Sequence, residues 1–172
     1  MKANIVGVLA LAASGACAGA AIAAEDWSRS DRSTGLVYYR CEAPACTVGA
    51  VISCKARVAD EITSLERYRK AMTVQEAAWT NAGAVVRFGA PTSRALGPWV
   101  LYQHPYTVER AGSPRTQFRG GYLTGAAHGF SIVSSSNDAA VTKRNFDRVV
   151  RRLTSSPIEE ALERCTVRPG AT

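Results

Sequence analysis

Apolar and polar positions change period several times along the 172-residue chain, and each change marks an element. Residues 34–41, with Leu36, Val37, Tyr38 and Tyr39, and residues 50–54, with Val51 and Ile52, are rich in strand formers. A short stretch holding Pro44 and Gly49 separates them, which predicts a hairpin. The period then lengthens. Ile62, Leu65, Tyr68, Met72 and Trp79 recur at steps of three and four or their sums, giving one apolar helical face. Asp60, or Thr63 with Glu66 three places on, can cap that helix. Thr73 and Glu76 form a second capping pair, predicting a break and restart, and Asn81-Ala82-Gly83 supplies the stop.

Strand character returns at 84–88, 99–102, 116–124 and 130–134, punctuated by Pro91, Gly97, Pro98 and Pro114. Ser135-Ser136-Asn137-Asp138 then offers N-cap residues. Val141, Phe146, Val149, Val150 and Leu153 form the buried stripe of the helix that follows. Ser156, Pro157 and Glu159 open a last short helix as cap, first residue and box partner. Residues 25–33 are polar and read as a loose leader. The order of hairpin, helix, strands and helix predicts one α+β domain over 34–168, an antiparallel sheet packed between two main helices.

The first 24 residues follow a different logic. Lys2 precedes an apolar core from Ile5 to Ala13, and Ala21-Ile22-Ala23 gives a small-x-small cleavage pattern. This predicts a signal peptide over 1–24 and a periplasmic or secreted product. The apolar part is too short to span ~30 Å of hydrocarbon, and no later stretch is long enough, so no transmembrane segment is expected in the mature chain. Cys17 offers a lipoprotein alternative, but Ser14 stands where a lipobox wants a leucine-like residue.

Without Cys17 four cysteines remain, Cys41, Cys46, Cys54 and Cys165, an even number suited to an oxidising compartment. Two pairings fit the spacing. Cys41–Cys46 closes the Pro44 turn and leaves Cys54–Cys165; the other is Cys41–Cys54 with Cys46–Cys165. Neither Cys-x-x-Cys nor clustered His spacing occurs, so no metal site is expected.

Residues Ser64-Leu65-Glu66-Arg67-Tyr68, Val85-Val86-Arg87-Phe88 and Gly97-Pro98-Trp99-Val100 resemble segments of the PsbP/DcrB-like exported proteins. Gly129-Phe130-Ser131-Ile132-Val133 and Asn145-Phe146-Asp147-Arg148-Val149-Val150 continue the likeness, which spans roughly 60–154. The resemblance implies an α/β/α sandwich and a functionally mixed, mostly non-enzymatic group that includes photosystem extrinsic subunits and envelope lipoproteins. The cysteine-bearing hairpin and the Cys165 tail depart from that pattern.

Catalytic signatures are sparse. His104 and His128 are the only histidines, and neither belongs to a metal-binding helix motif. No Gly-x-Ser-x-Gly elbow and no phosphate-binding glycine loop is present. Gly120 and Gly121 read as bulges or as close packing under a helix. No cofactor is expected. Tyr102 and Tyr106 flank His104-Pro105 at what reads as a strand end, a reasonable exposed contact site.

Charge adds the most suggestive feature. The formal net charge of +7 falls to +6 once Lys2 leaves with the signal segment, and arginines number 17 against 4 lysines. Lys143, Arg144, Arg148, Arg151 and Arg152 crowd the polar side of the second main helix, with Asp147 positioned to pair Arg151. Arginine suits bidentate contact with carboxylates and phosphates. Export and the lack of interleaved aromatics disfavour nucleic acid. The sequence therefore points to a non-enzymatic binding or accessory module that docks an acidic protein or envelope component. Arg144, Arg148, Arg151 and Arg152 are its first candidates, with Tyr106 and His104 second. The alternatives are a small secreted hydrolase using His104 and His128, and an inhibitor of a periplasmic or host enzyme.

Overall fold

The computed structural model describes residues 26–59 and 61–168. The signal segment and Asp60 as a helix cap lie outside those residues.

Strands β1 (Trp27–Asp31), β2 (Val37–Cys41) and β3 (Val51–Val58) lead into helix α1 (Leu65–Asn81). Five strands follow: β4 (Val85–Phe88), β5 (Thr92–Leu96), β6 (Trp99–Glu109), β7 (Thr116–Thr124) and β8 (His128–Ser136). Helices α2 (Ala139–Ser155) and α3 (Ile158–Cys165) close the chain. The strands form one antiparallel sheet in the order β1-β2-β3-β8-β7-β6-β4, with β5 also on β6. The α+β expectation holds.

Alternation within the sheet places the helices. Gly120 and Gly121 are adjacent on β7 and so face opposite sides. A Cβ on Gly120 would meet the His104 ring, and His104 is bonded to Tyr68 of α1. A Cβ on Gly121 would lie 2.5 Å from the Phe146 ring of α2. Thus α1 covers one face and α2 the other, with α3 beside α2 over β3. Gly121 is the close packing under a helix that its sequence context implies.

The core is correspondingly split. Leu101, Leu123, Phe130 and Ile132 from the sheet meet Val141, Phe146, Val150 and Leu153 of α2. On the other face Tyr68 and Met72 of α1 pack with Tyr102 and Tyr122, and the aromatic layer continues through Phe88, Tyr106 and Phe118.

Several sequence expectations need correction. Within the stretch read as a loose leader, the described residues 26–33 are not loose: β1 pairs with β2 from Trp27↔Cys41 to Asp31↔Val37, and Trp27 is buried in the core. The folded unit therefore starts ahead of residue 34. Helix α1 runs unbroken through Thr73, whose hydroxyl bonds back to the Arg69 carbonyl. Its cap is Ser64, whose side chain accepts from the Arg67 N–H, and not Thr63. Helix α3 starts with no side-chain cap, so Ser156 does not serve as one. Asp138 is the cap of α2, accepting from the N–H groups of Ala140 and Val141.

The segment read as punctuation between strands holds β5. Together β4 and β5 line one side of the long strand β6, and Pro105 sits at the junction where they meet. Its carbonyl accepts from the Gly89 N–H on that side. The N–H that proline lacks would also point to this interrupted edge, so the ladder to β7 loses nothing. A Cβ at Gly89 would lie 2.8 Å from the Pro105 ring, so a larger residue there would force a local shift.

Both disulfides follow the first of the two pairings. Cys41–Cys46 closes the Pro44 turn, and Cys54–Cys165 ties β3 to the end of α3 across 111 residues.

Candidate functional site

His104 lies in the middle of β6 and is only 2% exposed, and Tyr106 is 3% exposed. Neither belongs to an exposed strand-end contact site. Their positions alternate onto the α1 face, and α1 closes over them. Tyr68 Oη lies 2.8 Å from His104 Nδ1, and Gln75 donates to the Tyr106 hydroxyl at 3.0 Å. The rings of His104 and Tyr106 stack at 5.1 Å, and Tyr106 stacks on Phe118 at 4.8 Å. Burial, with Arg119 adding to it, pushes the His104 imidazole down to about 4. It also pushes the Tyr68 and Tyr106 phenols well above their ordinary range. These groups stay neutral at pH 7 and serve the core.

The two histidines are not brought together. His104 faces Gly120 across the ladder, whereas the His128 carbonyl accepts from Gly125 N–H five positions further along β7. That is roughly 16 Å along the strand, with a strand between them. The hydrolase reading loses its constellation for this reason.

The basic helix divides. The apolar stripe of α2 turns the opposite face outward, and Arg144, Arg148 and Arg151 recur on it at i, i+4 and i+7. Over that distance the helix rises about 10 Å. Among the described residues no carboxylate pairs with these three guanidiniums. Asp147 does not pair Arg151 as its spacing implies; it is held by Lys143 at 2.5 Å and by Arg94 of β5 at 3.6 Å. Arg152 points around the helix to α3, where Glu160 lies 4.0 Å away, so it does not join the outer row.

Arg152 instead borders a cavity of about 520 Å³ between the α2–α3 pair and the β1–β2–β3 end of the sheet. Its position follows from how α3 is held. A two-residue link joins α3 to α2, and the Cys54–Cys165 bridge pins its far end to β3. Ala161 and Cys165 are the buried residues of α3, while Glu160, Glu163 and Arg164 border the cavity. Trp27, Tyr39 and Ile52 contribute the sheet side and Val149 and Leu153 the α2 side. Arg29 is fixed at the edge: Nε is 2.9 Å from the Asp31 carboxylate, and its other nitrogens donate to the Glu163 and Thr166 carbonyls.

Sequence reasoning missed this site. Its walls come from residues 27 to 168, and only the Cys54–Cys165 pairing, one of two left open, signals that β3 and α3 meet. Among the described residues no cluster of three His, Cys, Asp or Glu side chains has the arrangement of a metal site, and no helix is long and apolar enough to cross a membrane.

No protein-family model matches the chain, and no curated protein matches it.

Proposed function

We propose that the protein is an exported accessory module that docks an acidic protein or anionic envelope component through the outer face of α2. The observation that carries this reading is the row of Arg144, Arg148 and Arg151 without an ionic partner among the described residues, on the same helix where Lys143 is neutralised by Asp147. Guanidiniums left free on a rigid, one-sided scaffold suit carboxylate or phosphate recognition. The attraction they exert falls with salt. His104 and Tyr106 leave the candidate interface because they are interior, and Arg152 leaves it because it faces the cavity.

Export rests on the signal-like first 24 residues and accords with two disulfides, which persist in oxidising compartments. A place among the PsbP/DcrB-like exported proteins belongs to the same reading and rests on the order of strands and helices.

The test is adsorption to defined anionic surfaces, poly-glutamate and phosphatidylglycerol vesicles, from low to high salt. The triple variant R144E/R148E/R151E is expected to lose retention at low salt with an unchanged melting temperature. Equal retention of wild type and variant would overturn the docking face.

A further inference from the structure

The cavity beneath α2 and α3 carries chemistry that the docking row does not use. Its volume of about 520 Å³ falls within the range of small-molecule sites, roughly 300–1,000 Å³. Trp27, Leu153 and the Cys54–Cys165 bridge give it an apolar body. Among the described residues, six buried side-chain polar atoms have no hydrogen-bond partner, and two of them belong to residues lining this cavity, Trp27 Nε1 and Arg164 Nε. Both are donors. The unpartnered Asn145 Oδ1 and Ser134 Oγ belong to residues elsewhere. The two donors are closed off from water, so a ligand in the cavity reaches them only if the wall shifts.

Formal charge agrees. Arg29 is neutralised by Asp31. That leaves Arg152, Arg164 and Arg168 in the lining against Glu160 and Glu163, a surplus of one positive charge. Glu160 is shared, in direct contact with Arg164 and 4.0 Å from Arg152. Arg152 is therefore the more loosely held of the two guanidiniums that share Glu160, and it stands beside the apolar wall formed by its neighbour Leu153, whereas the Arg168 guanidinium has no ion pair among the described residues.

We propose that this cavity binds a small amphipathic carboxylic acid. Its apolar or aromatic body lies between Trp27 and Leu153, and its carboxylate meets Arg152. The ionised carboxylate accepts hydrogen bonds only, which suits the donor fork of the Arg152 guanidinium. A neutral analogue of the same shape keeps the apolar burial and lacks the ionic contact.

The probe is 1-naphthoate, with 1-naphthalenemethanol as its neutral counterpart, titrated into the oxidised protein and followed by amide and indole N–H chemical shifts. Saturable shifts at the Trp27 indole N–H and the Leu153 amide are expected, with naphthoate bound about ten-fold more tightly than the alcohol. Arg152→Gln should remove that preference while leaving alcohol binding unchanged, and Arg151→Gln should change neither. R144E/R148E/R151E should also retain naphthoate, which separates this site from the docking row. Absence of saturable shifts at Trp27, or equal affinity for the acid and the alcohol, would overturn the proposal. So would an Arg152→Gln protein with undiminished preference for the acid.

Discussion

Tyr68 of α1 and His104 of β6 meet through a 2.8 Å contact between the phenol oxygen and Nδ1, inside a layer that water does not reach. Burial of the ring, more than the charge of Arg119, pushes His104 down to about 4 from an ordinary 6.5. The linkage has a definite sign. Below pH 6.5 the unfolded chain takes up a proton that the folded chain refuses until about pH 4, so unfolding becomes easier as pH falls through that window. The expected loss is on the order of 3 kcal/mol between pH 7 and pH 4. Denaturant unfolding across that range should show the decline, and His104→Gln should flatten much of it. A ring-proton titration of His104 near pH 6.5 in the folded protein would contradict the assignment.

Tyr68→Phe tests the same contact from the other side. It leaves Nδ1 buried without a partner, which costs about 1–3 kcal/mol. The loss should appear as a lower denaturant midpoint with an unchanged slope.

The approach of Phe146 to Gly121 makes a sharper packing prediction. A methyl at Gly121 would lie 2.5 Å from the ring Cζ and 3.0 Å from the Tyr102 carbonyl, so either α2 or the sheet must shift. Overpacking of this kind costs about 1–3 kcal/mol. Gly121→Ala should destabilise by that amount, and combining it with Phe146→Leu should recover part of the loss. Simple addition of the two penalties would show that the residues are not in contact.

The legible part of this fold was the part written in local periodicity. The α2 stripe of Val141, Phe146, Val149, Val150 and Leu153 and the limits of β7 could be read from spacing alone, because each is set by neighbours in sequence. β1 could not: Ser28, Arg29 and Ser30 look like leader residues, and only pairing to β2 makes them a strand. β5 is an exposed edge strand rich in polar residues, so no alternation betrays it. His104 was misplaced for a related reason. The Pro105 beside it reads as a strand end, whereas the β4–β5 junction lets β6 continue through it. The arginine row of α2 was recognisable as a basic helix. Its division into Arg144, Arg148 and Arg151 outside and Arg152 beside the cavity depends on where α3 packs.

The two disulfides should contribute unequally. In the chain-entropy account the Cys54–Cys165 bridge, at a sequence separation of 111, is worth about 5 kcal/mol. The Cys41–Cys46 bridge, at a separation of five, is worth about 2 kcal/mol. Removing the long bridge with C54S/C165S should lower the melting temperature more than C41S/C46S does. It should also weaken protection of α3 amides before those of the sheet, because α3 spans only eight residues. Equal effects of the two double variants would argue against this order.

Asp31 ties the first strand to the last described residues. Its carboxylate accepts from Arg29 Nε at 2.9 Å and from the Arg168 backbone N–H at 2.9 Å, while Arg29 reaches the Glu163 and Thr166 carbonyls. The hydrogen bond from Arg29, then that from Arg168, holds the Asp31 carboxyl below its ordinary value. A depressed carboxyl stabilises the fold above its unfolded pKa, and that contribution fades as pH falls through the folded one. Asp31→Asn keeps the shape but removes the charge. Hydrogen exchange at the Thr166 and Arg168 amides should accelerate in that variant, while amides of β7 and β8 keep their protection. In the wild type the same two amides should lose protection at acid pH, and in Asp31→Asn that pH dependence should largely disappear. Unchanged exchange at Arg168 would mean that the tail is held by the disulfide and Arg29 alone.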